Sequence, residues 1–332
     1  MTPLPPFLSA PPRRILAIVV TRIGDTLLCT PALRALKARW PEAELSVWAH
    51  PKRLEVLAGL PFIDRLQGYD WRRKLGSRLR GRQYDLALVF ADEVEQIGCA
   101  RRVAAQVVAF AGKAVPASGL TLVEQPAAHA VTARLALLAP LGIESAEPQL
   151  AYRVSAAEAS WAEQRLAGCG RPLIALQLHS FPTKAHRDWP FEHFAQLVEG
   201  LRAAYPQAAF VVTGDALARA SAARLRERCG DCVSSLAGDL SLRQTAAVLA
   251  AVDLYVGVDT GPTHLAGAVG APMVALYHAA YPGRNLAPLQ HLRGRFIEHP
   301  LTGSAEARNA DMAAIPVAPV LQAACELLER RA

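Results

Sequence analysis

Four short stretches carry the residue types that handle protons and anions. Asp25 closes Thr21-Arg22-Ile23-Gly24-Asp25, which follows the apolar run Ile-Leu-Ala-Ile-Val-Val at 15–20. A carboxylate placed there can take the proton of an attacking hydroxyl, and Gly24 leaves room for a ligand to approach. An aspartate at such a turn also caps a helix well, here one starting at Thr26. The loop from His179 to Pro190 gathers Ser180, Thr183, Lys184, His186 and Arg187 behind another apolar run. Hydroxyls and two cations in one loop suit a diphosphate; the alternative is an exposed basic loop. Gly214-Asp215, again past an apolar run, suits a ribose or adenine. The fourth stretch is Asp259-Thr260-Gly261-Pro262-Thr263-His264. Thr260 can cap a helix, Gly261 can turn tightly and Pro262 fits a first helical turn. The free amides of that helix start, helped by its dipole, form an anion site. Thr263 and His264 lie on the same helix, His264 as a ligand contact or as a satisfied core histidine.

Several chemistries lack their residues. The sequence has no His-Glu-x-x-His, no phosphate-binding G-x-x-x-x-G-K-[ST] loop and no D-x-D beside a strand. A departing diphosphate would then be met by cations and helix amides instead of Mg²⁺. Cys229-Gly230-Asp231-Cys232 has no second pair at zinc-site spacing and reads as a chance pair near a helix end.

The elements that must position these stretches alternate. Strands are predicted at 15–20, 44–49, 85–90 and 106–110, with helices at 26–39, 51–58 and 126–141. After Glu147-Pro148 the alternation restarts. Strands fall at 172–178, 209–213, 253–258 and 272–277, and helices at 155–167, 191–205, 216–229, 242–251 and 317–330. Apolar strands alternating with helices argue for parallel sheets covered on both faces. The 332 residues exceed what one core usually serves. The expected fold is α/β, with two Rossmann-like domains facing a central cleft.

Composition narrows the partners. No apolar run is long enough to span a bilayer, and the proline-rich start lacks the form of a signal peptide; the expectation is a cytoplasmic protein with reduced thiols. The net charge of +7 is uneven, with 19 basic and 13 acidic residues in 1–150 against 17 and 16 in the remainder. Much of the excess lies in Trp71-Arg72-Arg73-Lys74-Leu75-Gly76-Ser77-Arg78-Leu79-Arg80-Gly81-Arg82. A basic helix with interleaved Trp and Leu suits an anionic partner or a membrane surface, although a solvated helix face fits equally well. Nucleic acid is disfavoured, since no helix-turn-helix, zinc finger or RNA-binding aromatic pattern accompanies the charge.

Taken together, Thr21-Arg22-Ile23-Gly24-Asp25-Thr26 with Thr30-Pro31-Ala32-Leu33, Trp189-Pro190 with Phe194-Ala195, Asp259 to Ala266, and Asp311-Met312 with Ile315 resemble glycosyltransferase family 9. This is the ADP-heptose:lipopolysaccharide heptosyltransferase family, and the resemblance runs from about Arg14 to Leu328. It implies GT-B architecture: an acceptor-binding domain at 1–154, a nucleotide-sugar-binding domain at 155–316, and a C-terminal helix at 317–332 packing back on the first domain. It implies an inverting, metal-independent transfer of a heptose or related sugar from an ADP-sugar to a lipopolysaccharide-core acceptor. No cofactor is expected beyond the nucleotide-sugar co-substrate, with ADP-heptose as the expected donor. Asp25 is then the catalytic base. Ser180, Thr183, Lys184, Arg187, Gly214, Asp215, Asp259, Thr260, Gly261, Thr263 and His264 would bind the donor. Arg22, Gly24, Arg72, Arg73 and Lys74 would bind the phosphorylated lipid A/core acceptor, with peripheral contact at the inner membrane. The sequence departs from the family pattern where many members have Lys two residues before Trp-Pro and this chain has Arg187. It also reads His179-Ser180-Phe181 where a His-Pro-Gly-like start is common, and the loop 278–285 has no residue-by-residue match. The alternatives are a nucleotide-sugar epimerase of the same fold and a non-catalytic nucleotide-sugar-binding module.

Overall fold

The computed structural model describes residues 4–79, 81–112, 120–144 and 146–330. Arg80, within the basic stretch, lies outside the described residues. The chain divides into two compact units, Met1–Arg153 and Val154–Ala332.

The first unit is built on β1 (Arg14–Val19), β2 (Glu44–Ala49), β3 (Arg65–Gly68), β4 (Tyr84–Val89), β5 (Ala104–Phe110) and β6 (Thr121–Val123), in the order β3-β2-β1-β4-β5-β6. Every pairing is parallel. β1, β2 and β4 carry near-continuous apolar runs because both faces of a parallel sheet are covered. Helix α1 (Ile23–Leu28) follows β1, and α2 (Thr30–Arg39) follows α1. The spacing predicted one helix over 26–39. The chain instead breaks at Cys29 and restarts with Pro31 in the first turn of α2, where a missing N–H is harmless. Further along come α3 (Trp71–Leu79) and α4 (Ala130–Leu135), the latter continuing as a 3₁₀ turn through Leu141.

The second unit repeats the pattern with β7 (Leu173–Gln177), β8 (Ala209–Thr213), β9 (Val233–Ser235), β10 (Leu254–Val258), β11 (Met273–Tyr277) and β12 (Gly294–Glu298). Its order is β12-β11-β10-β7-β8-β9, again all parallel. Both units thus share one doubly wound topology, with switch points between β1 and β4 and between β7 and β10. Ligands bind such sheets outside the carboxyl ends of the strands at the switch point.

Around the second sheet lie α5 (Ala156–Arg165), α6 (Phe191–Ala204), α7 (Leu242–Ala251), α8 (Gly261–Ala268) and α9 (Val317–Glu329). Ser155 and Glu158 form a capping box at the start of α5. Arg243 of α7 meets both oxygens of Glu158 at 2.7 Å, which holds its carboxyl down at about 2. The final helix corrects an expectation. It belongs to the second unit, where Val320, Ala323, Ala324 and Leu327 enter the core beside Phe194, Leu197 and Leu201 of α6. Its apolar stripe finds its cover there, on the helix that follows the Trp189-Pro190 turn. The six cysteines are free thiols.

Carboxylates at the amino ends of strands finish the sheets. Asp85 accepts from the N–H of Arg13 and Arg14 at 2.8 Å, Asp64 from Leu45 at 2.7 Å and Asp253 from Leu173 at 2.6 Å. Each serves a strand beside its own, where the ladder leaves a donor open. Asp253 is buried, so Asp253→Ala strands the Leu173 N–H. The expected loss is about 1–3 kcal/mol in denaturant unfolding with nucleotide binding unchanged; unchanged stability would contradict this role.

Candidate active site

Asp25 sits inside the first turn of α1, not ahead of a helix starting at Thr26. The N-cap is Arg22, whose side chain is exposed and makes no capping bond. Gly24 lies in the same turn. Thr26 Oγ1 donates to the Arg22 carbonyl at 2.8 Å and meets Thr21 Oγ1 at 2.9 Å, which fixes this turn on the end of β1. The carboxylate of Asp25 is 43% exposed, and Arg134 Nη2 donates to its Oδ1 at 2.7 Å. Arg134 escaped the sequence reading because it stands 109 residues from Asp25, within an alanine-rich helix.

On α3, the basic residues divide. Lys74 Nζ pairs with Glu95 at 2.7 Å and lies over the Tyr69 ring. Arg73 lies over Trp48, and Arg72 over Trp71. Arg72 and Arg73 line a cavity of about 320 Å³ together with Trp48, Asp70 and Gln83. Trp71, Leu75 and Leu79 are 66%, 49% and 76% exposed. Their i, i+4, i+8 spacing makes one apolar stripe along the helix.

In the second unit the loop after β7 is organised by Asp188. Its Oδ1 accepts from Ser180 N–H at 2.7 Å and Ser180 Oγ at 2.6 Å, and its Oδ2 faces His179 Nδ1 at 3.0 Å. Ser180 Oγ also reaches the Lys184 carbonyl at 2.7 Å, so this hydroxyl is committed to loop structure. Thr183 is exposed. The Trp189-Pro190 pair anchors the loop's end: Trp189 is buried and its Nε1 donates to the Ile315 carbonyl at 2.9 Å.

The loop delivers Arg187 to the turn after β10. Arg187 Nη1 meets Asp259 Oδ2 at 3.0 Å; the Asp259 side chain is buried, 6% exposed, and that of Arg187 largely so, at 14%. His264 Nε2 stands 3.5 Å from Asp259 Oδ1. Arg187 Nε and His264 Nδ1 are buried and have no hydrogen-bond partner among the described residues. Arg187 also stacks on Tyr281, its guanidinium carbon 3.5 Å from the ring centroid, with Lys184 Nζ 5.6 Å from the same centroid. The Arg187 hydrogen bond and the Lys184 charge hold the Tyr281 phenol below its ordinary range. Tyr281 is a second residue that sequence reasoning missed, after Arg134: it lies in the loop 278–285, which has no spacing signal of its own.

The start of α8 is fastened from below. Tyr255 Oη meets Thr263 Oγ1 at 2.8 Å, and Thr263 Oγ1 donates to the Val258 carbonyl. Burial raises the Tyr255 phenol and keeps it a donor. Thr263 is therefore structural. Thr260 makes no side-chain cap, Pro262 has no N–H, and the Thr263 N–H is taken by the Thr260 carbonyl at 3.1 Å. Gly261 is left to supply the amide at this helix end. Gly257, on β10, must lack a side chain because a Cβ would stand 2.4 Å from Tyr255 Oη. Gly214 has φ +127° and a Cβ there would press on Gln177 at 3.2 Å. Asp215 is exposed and accepts from the Leu217 N–H at 3.0 Å. The second unit thus brings Lys184, Arg187, Asp259, Gly261 and His264 to the switch point, while Ser180 and Thr263 support them.

The family model for glycosyltransferase family 9 (heptosyltransferase) matches residues 72–308. The chain belongs to this family and is a glycosyltransferase. It is 26% identical to lipopolysaccharide heptosyltransferase 3 of Escherichia coli, over 92% of this chain and 96% of that one. The fold is that of solved family members with GT-B structure. A family 9 glycosyl transferase from Veillonella parvula superposes with a TM-score of 0.80 at 19% identity, covering 96% of this chain and 97% of the other. The E. coli ADP-heptose lipopolysaccharide heptosyltransferase II gives 0.78 at 23% identity, covering 96% and 99%. Membership decides against the epimerase and the non-catalytic readings.

One pH dependence follows from the loop. The Asp188 hydrogen bond raises the His179 imidazole; burial opposes this, and the charges of Asp188 and Asp215 add to it. A value higher in the folded state gives stability that is complete below the unfolded imidazole value and is lost as pH rises through the folded one. His179→Gln should therefore lower the melting temperature more at about pH 6 than at about pH 9. An equal loss at both would show that the imidazolium charge contributes nothing.

Proposed function

We propose that the enzyme transfers a heptose from ADP-heptose to a lipopolysaccharide-core hydroxyl with inversion at the anomeric carbon. The observation that carries this reading is the largely buried Arg187–Asp259 pair at the start of α8, flanked by Arg187 Nε and His264 Nδ1, which have no hydrogen-bond partner among the described residues. Such a cluster of donors at a β7/β10 switch point suits a nucleoside diphosphate. The E. coli relatives, which act on lipopolysaccharide and, for heptosyltransferase II, with ADP-heptose, support the choice of donor and acceptor.

In this mechanism the acceptor hydroxyl attacks the anomeric carbon and passes its proton to Asp25 Oδ2. The bond from that carbon to the diphosphate oxygen breaks, and ADP leaves with the electron pair. Arg187, Lys184 and the Gly261 amide meet the charge that grows on the leaving group. The reading is metal-independent, because those donors supply the stabilisation. Asp215 and Gly214 would lie along the nucleoside. Arg72 and Arg73 would face acceptor phosphates, with Arg22 and Gly24 beside the acceptor hydroxyl. The exposed Trp71-Leu75-Leu79 stripe, bordered by Arg72 and Arg78, fits peripheral contact with an anionic membrane at the cytoplasmic face.

The test is transfer from ADP-heptose to a heptose-deficient core acceptor, with the anomeric configuration of the product read by NMR. Inverted product, turnover unchanged by a chelator, and a loss of about 10²–10⁴-fold in kcat for Asp25→Asn are expected. Near-normal turnover by Asp25→Asn would remove Asp25 from the mechanism. Arg72→Glu with Arg73→Glu should raise the acceptor KM and leave the donor KM alone; equal change in both would contradict the acceptor assignment.

A further inference from the structure

Arg134 is fastened more firmly than a surface cation. Its side chain is 13% exposed. Nη1 donates to the Ala130 carbonyl at 2.8 Å, one turn back on α4, and Nη2 donates to Asp25 Oδ1 at 2.7 Å. The planar guanidinium is thus pinned to its own helix on one side and presents a fixed donor on the other. The helix itself is capped, with His129 Nδ1 accepting from the Val131 N–H at 3.1 Å.

On the opposite side of this bond, Asp25 is held only in part. The second oxygen, Oδ2, has no partner among the described residues. Cys29, at the break between α1 and α2, donates its Sγ to the Asp25 carbonyl at 3.2 Å. Burial pushes this thiol up to about 11, against the pull of Arg134, so it stays neutral and leaves the guanidinium charge to Asp25. One carboxylate oxygen is tied and the other is open.

A plain structural ion pair is the competing explanation. Asp25 is 43% exposed, and pairs with one well-solvated member contribute little to stability. What the contact supplies is orientation: fixing Oδ1 sets the plane and direction of the carboxylate and leaves Oδ2 open. Displacing a reacting group by about 1 Å can cost on the order of 100-fold.

We propose that Arg134 is the positioning residue of the general base, an inference that rests on the reading of Asp25 as that base. It tests as a kcat effect with a specific pattern. Arg134→Ala should lower kcat about 10- to 100-fold and leave the ADP-heptose KM unchanged. Arg134→Gln keeps an N–H donor without the charge, and Arg134→Lys keeps the charge without the fork. If orientation is what matters, both recover part of the loss, and both keep the test open should the alanine variant fold poorly. In the double variant with Asp25→Asn, removal of Arg134 should cost less than about two-fold more, since there is no longer a base to orient.

The two readings fail differently. Turnover near wild type in Asp25→Asn would sink the base itself. A dead Asp25→Asn beside a fully active Arg134→Ala would keep the base and overturn the positioning role. So would a full, additive loss on removing Arg134 from the Asp25→Asn background, which would show Arg134 acting without Asp25.

Discussion

Arg187 and Asp259 share an ion pair with little access to water, and that pair joins the loop after β7 to the turn after β10. Burying two charges costs several kcal/mol per ion, which their attraction recovers only with good geometry. A buried pair of this kind is a poor way to gain stability compared with apolar packing. Its persistence makes sense where a cation must stand ready in a dry place. Tyr281 covers one face of Arg187, Asp259 fixes one end of it, and Nε has no partner among the described residues. The supporting contacts are then required. Asp188 folds the loop, Trp189 anchors it, and the Tyr255–Thr263–Val258 chain of hydrogen bonds sets the height of α8 on β10.

The same residue type has opposite duties at the two ends of each sheet. At the amino ends, Asp85, Asp64 and Asp253 take up open strand N–H groups. At the carboxyl ends, Asp25, Asp188, Asp215 and Asp259 face loops and helix starts. Parallel sheets impose this division, because every strand runs the same way and all crossovers return to the same edge. An aspartate just before an apolar run therefore reads as sheet support, and one just after it as a candidate for chemistry.

Much of this was legible in the sequence. Strong apolar runs located the central strands of both sheets, and with them the positions of Asp25, Arg187 and Asp259. Short edge strands such as β3, β9 and β12 carry too little periodicity to stand out and appear only by pairing. The break at Cys29 was hidden because Thr30 and Pro31 continue the apolar spacing while restarting the helix. The placement of α9 required knowing which surface its stripe would cover; α6 supplies that surface within the same unit. Arg134 and Tyr281 were invisible for another reason. Each acts through a partner far away in sequence, and neither sits in a stretch with unusual composition. Ser180 and Thr263 had the right chemistry for a ligand but spend it on the backbone and on neighbouring side chains.

In the proposed enzyme the Arg187–Asp259 cluster receives the diphosphate of an adenine nucleotide. Calorimetric titration of ADP into the wild-type protein and into a folded Arg187→Met variant tests it most directly. Saturable binding is expected, weakened by at least about 10-fold in the variant, as the loss of a charge-assisted contact implies. Equal ADP affinity in the two proteins would contradict it.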